Sequence, residues 1–189
     1  MRVIAGQVHG RRLKAPRGMA TRPTAARVRE SIFSRLAARL DFDGLKVLDL
    51  FAGSGALGIE ALSRGAASAT FVDSSRAAAA AVRDNLDALE LARRGRVLCL
   101  DVRRALDELA RQGARFDLVL CDAPYERGLS AEILVRLCDL GLLAQGAWVM
   151  LELSRREAAP DEPRLERVSV AILGDHQIAM YRRETKADE

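Results

Sequence analysis

Four acidic residues and three glycines are the parts of this 189-residue chain with the most legible chemistry. Asp49 stands inside the apolar run Val47-Leu48-Asp49-Leu50-Phe51, which breaks into Ala52-Gly53-Ser54-Gly55-Ala56-Leu57-Gly58; Asp73, Asp101 and Asp122 stand at or just past the ends of three later apolar runs. An apolar run without alternation suits a central parallel strand covered on both faces. Gly53 and Gly55 then allow positive φ and a close approach of the backbone to a ligand. The spacing of Gly53, Gly55 and Gly58 satisfies G-x-G-x-x-G, and Asp73 is placed to accept both hydroxyls of an adenosine ribose, so a nucleotide-like cofactor belongs at this turn. NAD and other adenosine cofactors fit these residues equally, and a nicotinamide-dependent oxidoreductase stays open on them alone. Any one of the acids could be a helix N-cap. Four at successive strand ends argue for a single crevice, because ligands of open α/β sheets lie beyond the carboxyl ends of the strands.

The stretch that discriminates is Asp122-Ala123-Pro124-Tyr125. It resembles the Asp/Asn-Pro-Pro-Tyr motif of methyltransferases that act on exocyclic amino groups of bases or amides. An aromatic amine is a poor nucleophile, since its lone pair is delocalised into the ring. A carboxylate (Asp122) and a backbone carbonyl (Ala123 or Pro124) that accept its two N–H bonds orient the lone pair toward a methyl donor, and the carboxylate offsets the positive charge developing on nitrogen. Tyr125 would stack on the base. A dehydrogenase needs a proton donor or acceptor for its substrate, and Tyr125 is the one candidate of His, Lys or Tyr type at an equivalent strand end.

The elements that must position these residues follow from periodicity. Residues 1 to 14 read as a β-hairpin or extended arm around Gly6 and Gly10, followed by a loop with Pro16, Gly18 and Pro23. Thr24 is expected to cap a helix whose Val28, Ile32, Phe33, Leu36 and Leu40 recur at helical spacing. Strands are expected over 46–50, 68–72, 96–100, 116–121 and 146–151, with helices over 56–64, 74–91, 103–111 and 130–140 between them. This alternation predicts an α/β, doubly wound, mostly parallel sheet. Residues 164–173 and 177–183, separated by Gly174-Asp175-His176, break the rhythm and read as a terminal hairpin. The expected organisation is a basic arm over 1–22, a globular domain over 23–183 and a loose tail over 184–189.

Charge is segregated along the chain. Residues 1–40 hold ten Arg or Lys against the single acid Glu30, a net of +9, whereas the rest carries 20 basic and 25 acidic residues, a net of −5. A basic front end on a mildly acidic body suits binding to a polyanion, where phosphate contacts gain affinity through counterion release. Arg11, Arg12, Arg22, Arg27 and Arg29 are the candidate RNA contacts. Cys99, Cys121 and Cys138 are odd in number and set in apolar runs, which argues against a disulfide framework or a zinc site. His9 and His176 stand alone, leaving no evident metal cluster or Ser-His-Asp set. No run reaches transmembrane length and no signal segment is evident, so a cytoplasmic protein is expected.

With these residues in view, the chain resembles the bacterial 16S ribosomal RNA (guanine(966)-N2)-methyltransferase family along nearly its whole length. The resemblance rests on Arg2-Val3-Ile4-Ala5-Gly6 with Gly10-Arg11-Arg12-Leu13, Arg22-Pro23-Thr24 with Arg27-Val28-Arg29-Glu30 and Phe33, Leu48 to Gly58, and Asp122 to Tyr125. It implies a Rossmann-like, S-adenosylmethionine-dependent class I fold of seven strands with one antiparallel strand and a small N-terminal extension. It also implies methylation of one guanine in 16S RNA or a small-subunit assembly particle. Asp49, Gly53 and Gly55 would hold the methionine end of the cofactor, Asp73 the ribose, and Asp101 and Val102 the adenine. Phe51 and Ser74 line the same cofactor site, Asp122 borders it, and Asp122 to Tyr125 would take the target amine. Arg22 and Thr24 would close over the cofactor or contact RNA. The family usually has two prolines where this chain has Ala123-Pro124, a substitution that leaves the carbonyl but loosens the loop. An adenine-N6 DNA or glutamine amide methyltransferase, and an inert RNA-binding assembly factor, are the competing readings.

Overall fold

A computed structural model describes residues 1–16, 23–124 and 128–184, with the backbone alone for residues 23–25. Helix α1 (Pro23–Ala37) precedes β1 (Lys46–Leu50), α2 (Ala56–Ser63), β2 (Ser68–Val72), α3 (Arg76–Ala88), β3 (Gly95–Leu98), α4 (Val102–Arg111), β4 (Phe116–Asp122), α5 (Leu129–Asp139), β5 (Leu143–Ser154), β6 (Leu165–Leu173) and β7 (His176–Arg183). The strands form one seven-stranded sheet in the order β3-β2-β1-β4-β5-β7-β6. β1 to β5 pair in parallel, and β7 runs antiparallel to both β5 and β6. The expected doubly wound sheet with one antiparallel strand is thus present, and its order reverses between β1 and β4.

Helices cover both faces. On one, α1, α2 and α3 bury Ile32, Phe33, Leu36, Ile59, Leu62 and Val82; on the other, α4 and α5 bury Leu106, Leu109, Ile133 and Leu137. Each such side chain contributes roughly 1.5–3 kcal/mol on burial. In α4, Val102, Ala105, Leu106 and Leu109 form one buried stripe at helical spacing, and the Asp101 side chain starts the helix by accepting the Arg103 N–H at 3.0 Å.

Several boundaries depart from the sequence expectations. α1 begins at Pro23, so Thr24 lies in its first turn rather than at its cap; proline suits the first helical position because that N–H has no partner in any case. α3 stops at Ala88 instead of Leu91. Glu90 takes φ 60°, and the N–H groups of Leu91 and Glu90 donate back to the carbonyls of Leu86 (2.8 Å) and Asp87 (3.1 Å), the Schellman arrangement without its customary glycine. β5 runs on to Ser154, three residues past its expected end, and brings Glu152 into the sheet.

The arm is not a free appendage. One antiparallel bridge joins Arg2 to Arg12, Val3 and Leu13 enter the core, and buried Glu60 of α2 accepts the N–H groups of Ile4 (2.7 Å) and Ala5 (3.0 Å). Asn85 of α3 then clamps Lys14 through two hydrogen bonds and donates to the Ser54 carbonyl at 2.9 Å, tying the end of the arm to the glycine turn. No described helix is long and apolar enough to cross a membrane.

Candidate active site

The point where the strand order reverses, between β1 and β4, is where a doubly wound sheet opens a crevice at its carboxyl edge. The chain leaves β1 through Phe51, an aromatic residue held at φ 59°, and turns through Gly53 (φ 55°) and Gly55 (φ 76°) into α2. Positive φ at a bulky residue is strained and persists only where its surroundings impose it, which happens most at ligand sites. Asp73 fastens this turn to the β2 edge: one carboxylate oxygen accepts the Gly53 N–H and the other the Ser75 N–H, each at 2.8 Å. Ser75 caps α3.

Beneath the turn, Asp49 is 1% exposed and accepts the Gly58 N–H at 2.8 Å. Gly58 has no room for a side chain. A Cβ there would lie 2.4 Å from Cε1 of buried Phe71 and 3.0 Å from Oδ2 of Asp49. Gly58→Ala therefore is expected to displace both, costing about 1–3 kcal/mol. A thermal melt should show a drop of several degrees, and titration with an adenosine cofactor should show weakened binding. An unchanged melt would mean that Phe71 can yield freely.

Asp122 ends β4 opposite Glu152 in the β4–β5 register, and on the next strand Nδ1 of His176 sits 2.7 Å from Oε1 of Glu152. As a residue Asp122 is exposed, although its carboxyl is crowded by protein atoms, and the Glu152 and His176 side chains are largely covered, at 11% and 23% exposure. Burial raises the Asp49 carboxyl well above its ordinary range; the Gly58 N–H opposes this, and Asp122 and Asp73 add to it. Asp122 is pushed up to about 7, first by desolvation and then by Glu152, with His176 pulling the other way. Desolvation also pushes Glu152 up to about 7. The thiol of Cys121 is raised by burial and by Asp122 and Asp49. Crowded carboxyls that repel one another's charge are matched by a cationic ligand. The glycine turn, the tethered acid Asp73 and this negative field together fit S-adenosylmethionine, which carries a sulfonium and an ammonium.

The structure brings Asp49, Phe51, Gly53, Gly55, Asp73 and Asp122 to one edge of the sheet. Ala123 is buried and Pro124 exposed directly after β4. Asp101 and Val102 stand at the start of α4, past the end of β3. Tyr125 and Arg22 lie outside the described residues. Of the candidate RNA contacts, Arg12 and Arg27 are exposed, and Arg11 is exposed while donating to the Ala88 carbonyl at 2.6 Å. Arg29 departs from expectation. It is 6% exposed and donates to the Arg2 carbonyl at 2.5 Å and to Met1 Sδ at 3.1 Å, so its guanidinium holds the arm in place instead of facing RNA.

Sequence reasoning missed Glu152 and His176, and read His176 as solitary. The signal was weak: Glu152 lies in an apolar run taken to end at Leu151, and only the antiparallel β7 returns His176 to it.

Known proteins resemble the chain over its whole length. It is 40% identical over 161 residues to the putative rRNA methyltransferase YlbH of Bacillus subtilis, covering 85% of this chain and 86% of that one. It is 38% identical over 191 residues to ribosomal RNA small subunit methyltransferase D of Escherichia coli, covering 100% of this chain and 92% of the relative. The solved structure of the putative methyltransferase yhhF from Escherichia coli superposes with a TM-score of 0.83 at 36% identity, over 98% of this chain and 99% of that one. With a family model matched across residues 1–182 and a methyltransferase fold that carries its acids around the β1–β4 crevice, the chain belongs to the family described as Conserved hypothetical protein 95.

Proposed function

We propose that this protein methylates the exocyclic N2 amine of a guanine in 16S ribosomal RNA, in the cytoplasm, with S-adenosylmethionine as methyl donor. The observation that carries the reading is Asp122 at the end of β4, followed by the Ala123-Pro124 carbonyls and bordering the acid-lined glycine turn. The relatives named as ribosomal RNA methyltransferases support methyl transfer over the nicotinamide alternative that the glycines alone leave open.

When bound, S-adenosylmethionine supplies an electrophilic methyl group. The residues of the chain do the rest. Asp49, Gly53 and Gly55 would hold the methionine end, with Phe51 and Ser74 lining the site; Asp73 has lone pairs left for ribose hydroxyls beyond its two backbone partners; Asp101 and Val102 would border the adenine; Arg22 and Thr24 would close over the cofactor or contact RNA. Asp122 and a carbonyl of Ala123 or Pro124 accept the two N–H bonds of the amine, and Tyr125 stacks on the guanine. Ionised Asp122 opposes the charge that develops on nitrogen, so the rate rises with pH as that carboxyl loses its proton.

Digestion of the methylated RNA to nucleosides tests the base: N2-methylguanosine is the expected product, and a different methylated nucleoside would overturn the guanine assignment. The arm and the exposed face of α1 serve as the RNA grip. Arg12→Ala and Arg27→Ala should each weaken RNA binding and lower the slope of log affinity against log salt by about one, with cofactor affinity retained. Equal loss of both affinities would make these arginines structural.

A further inference from the structure

Within the proposed methyl-transfer reading, we infer that Glu152 and His176 are positioning residues that govern the proton on Asp122, and that this chain of three side chains takes up the proton the target amine sheds. The three residues stand on three neighbouring strands of the sheet. Asp122 at the end of β4 is the register partner of Glu152 on β5; Glu152 in turn is paired with His176, which opens β7 beside the tight Gly174-Asp175 turn. Asp122 is the most exposed of the three as a residue, and the Glu152 and His176 side chains are largely covered.

The proton balance requires such an acceptor. An amine that has gained a methyl group holds one proton more than the neutral product. One N–H bond breaks, its electron pair stays on nitrogen, and an O–H bond forms on the Asp122 carboxylate. From there the proton passes to the Glu152 and His176 pair or to water. Two carboxyls side by side do not both ionise readily, so Glu152 competes with Asp122 for negative charge. Contact with the His176 imidazole engages that competitor and eases ionisation of Asp122. On the neighbouring β1, Asp122 adds to the cost of ionising buried Asp49, on which Asp73 also acts from the β2 edge. Among the described residues, Glu152 disfavours the Asp122 carboxylate and His176 favours it.

The two partners must therefore act in opposite directions. Glu152→Gln should lower the pH midpoint of kcat by about one unit, and His176→Gln should raise it by a similar amount, both with the KM for S-adenosylmethionine near the wild-type value. Carbon-13 NMR titration of the Asp122 carboxyl in the cofactor-free protein should show the same two opposed shifts without any turnover. Both variants keep side chains of similar size, and this titration reads them even if catalysis is lost. Shifts in the same direction, or an Asp122 titration unmoved by either change, would overturn the inference. Absence of methyl transfer by the wild-type protein would instead overturn the reading on which the inference rests, while the NMR titration still decides the coupling.

Discussion

Asp122→Ala is expected to lower kcat for methyl transfer by two to three orders of magnitude, with a much smaller change in cofactor affinity. In the proposed reaction the side chain would have two tasks: orienting the lone pair by accepting an N–H bond, and opposing the positive charge that grows as the new bond forms. Interactions confined to the transition state appear in kcat, and removal of one preorganised electrostatic partner costs about 10²- to 10³-fold. The fold should not suffer. Asp122 is crowded by Glu152 and adds to the cost of ionising Asp49, so its removal relieves repulsion and the melting temperature should hold or rise. Asp122→Asn keeps an oxygen acceptor but no charge; it should retain part of the rate and lose the rise in activity with pH through about 7. Steady-state rates at several pH values together with a melting curve check these outcomes. A variant that melts far below the wild type would show instead that Asp122 is structural.

The second large effect lies outside the crevice. Glu60→Ala should destabilise the protein by about 3–5 kcal/mol, the range for breaking a buried ion pair from one side, which corresponds to a melting temperature lower by on the order of 10 °C. Glu60 is fully buried, accepts the N–H groups of Ile4 and Ala5, and meets Arg64 Nε at 2.9 Å. The Arg64 guanidinium also lies 5.0 Å from the ring centroid of Phe33 on α1. Without Glu60, two backbone donors and one guanidinium lose their acceptor together, while Gly6, against the Ser63 carbonyl, has no slack to rearrange: a Cβ there would come within 1.9 Å of that oxygen. Release of the arm should therefore weaken RNA binding as well. Thermal unfolding and RNA titration of the variant check both effects. A loss below about 1 kcal/mol would assign the docking to burial of Val3 and Leu13 instead.

The parts of this account that were legible in the sequence are those where local pattern and tertiary role agree. The run from Val47 to Gly58 reads as strand, turn and helix because continuous apolarity, glycine and helical spacing each have one strong structural meaning, and the β-α alternation fixes a doubly wound sheet. The four strand-end acids were found because the fold class itself places them at one edge. What escaped depended on contacts between distant segments. Glu60 looks like an ordinary helical glutamate until the arm folds back onto it. Arg29 is indistinguishable from Arg27 by type, yet helical rotation turns one inward and the other to water. Asp101 caps α4, as an acid at a strand end often does, and shares the crevice edge by position. Glu152 and His176 are 24 positions apart and meet only because β7 enters the sheet antiparallel beside β5. The end of α3 was misjudged because Glu90 adopts a conformation for which glycine is the usual signal.

The most direct test of the central claim is transfer of tritium from labelled S-adenosylmethionine into small-subunit RNA or particles that lack this methylation, with Asp122→Ala run in parallel and the product digested to nucleosides. Label in N2-methylguanosine with the wild type, and its near disappearance with the variant, is the predicted result. Binding of both cofactor and RNA without incorporation of label into intact particles would contradict it and would make the protein a binding factor instead of a methyltransferase.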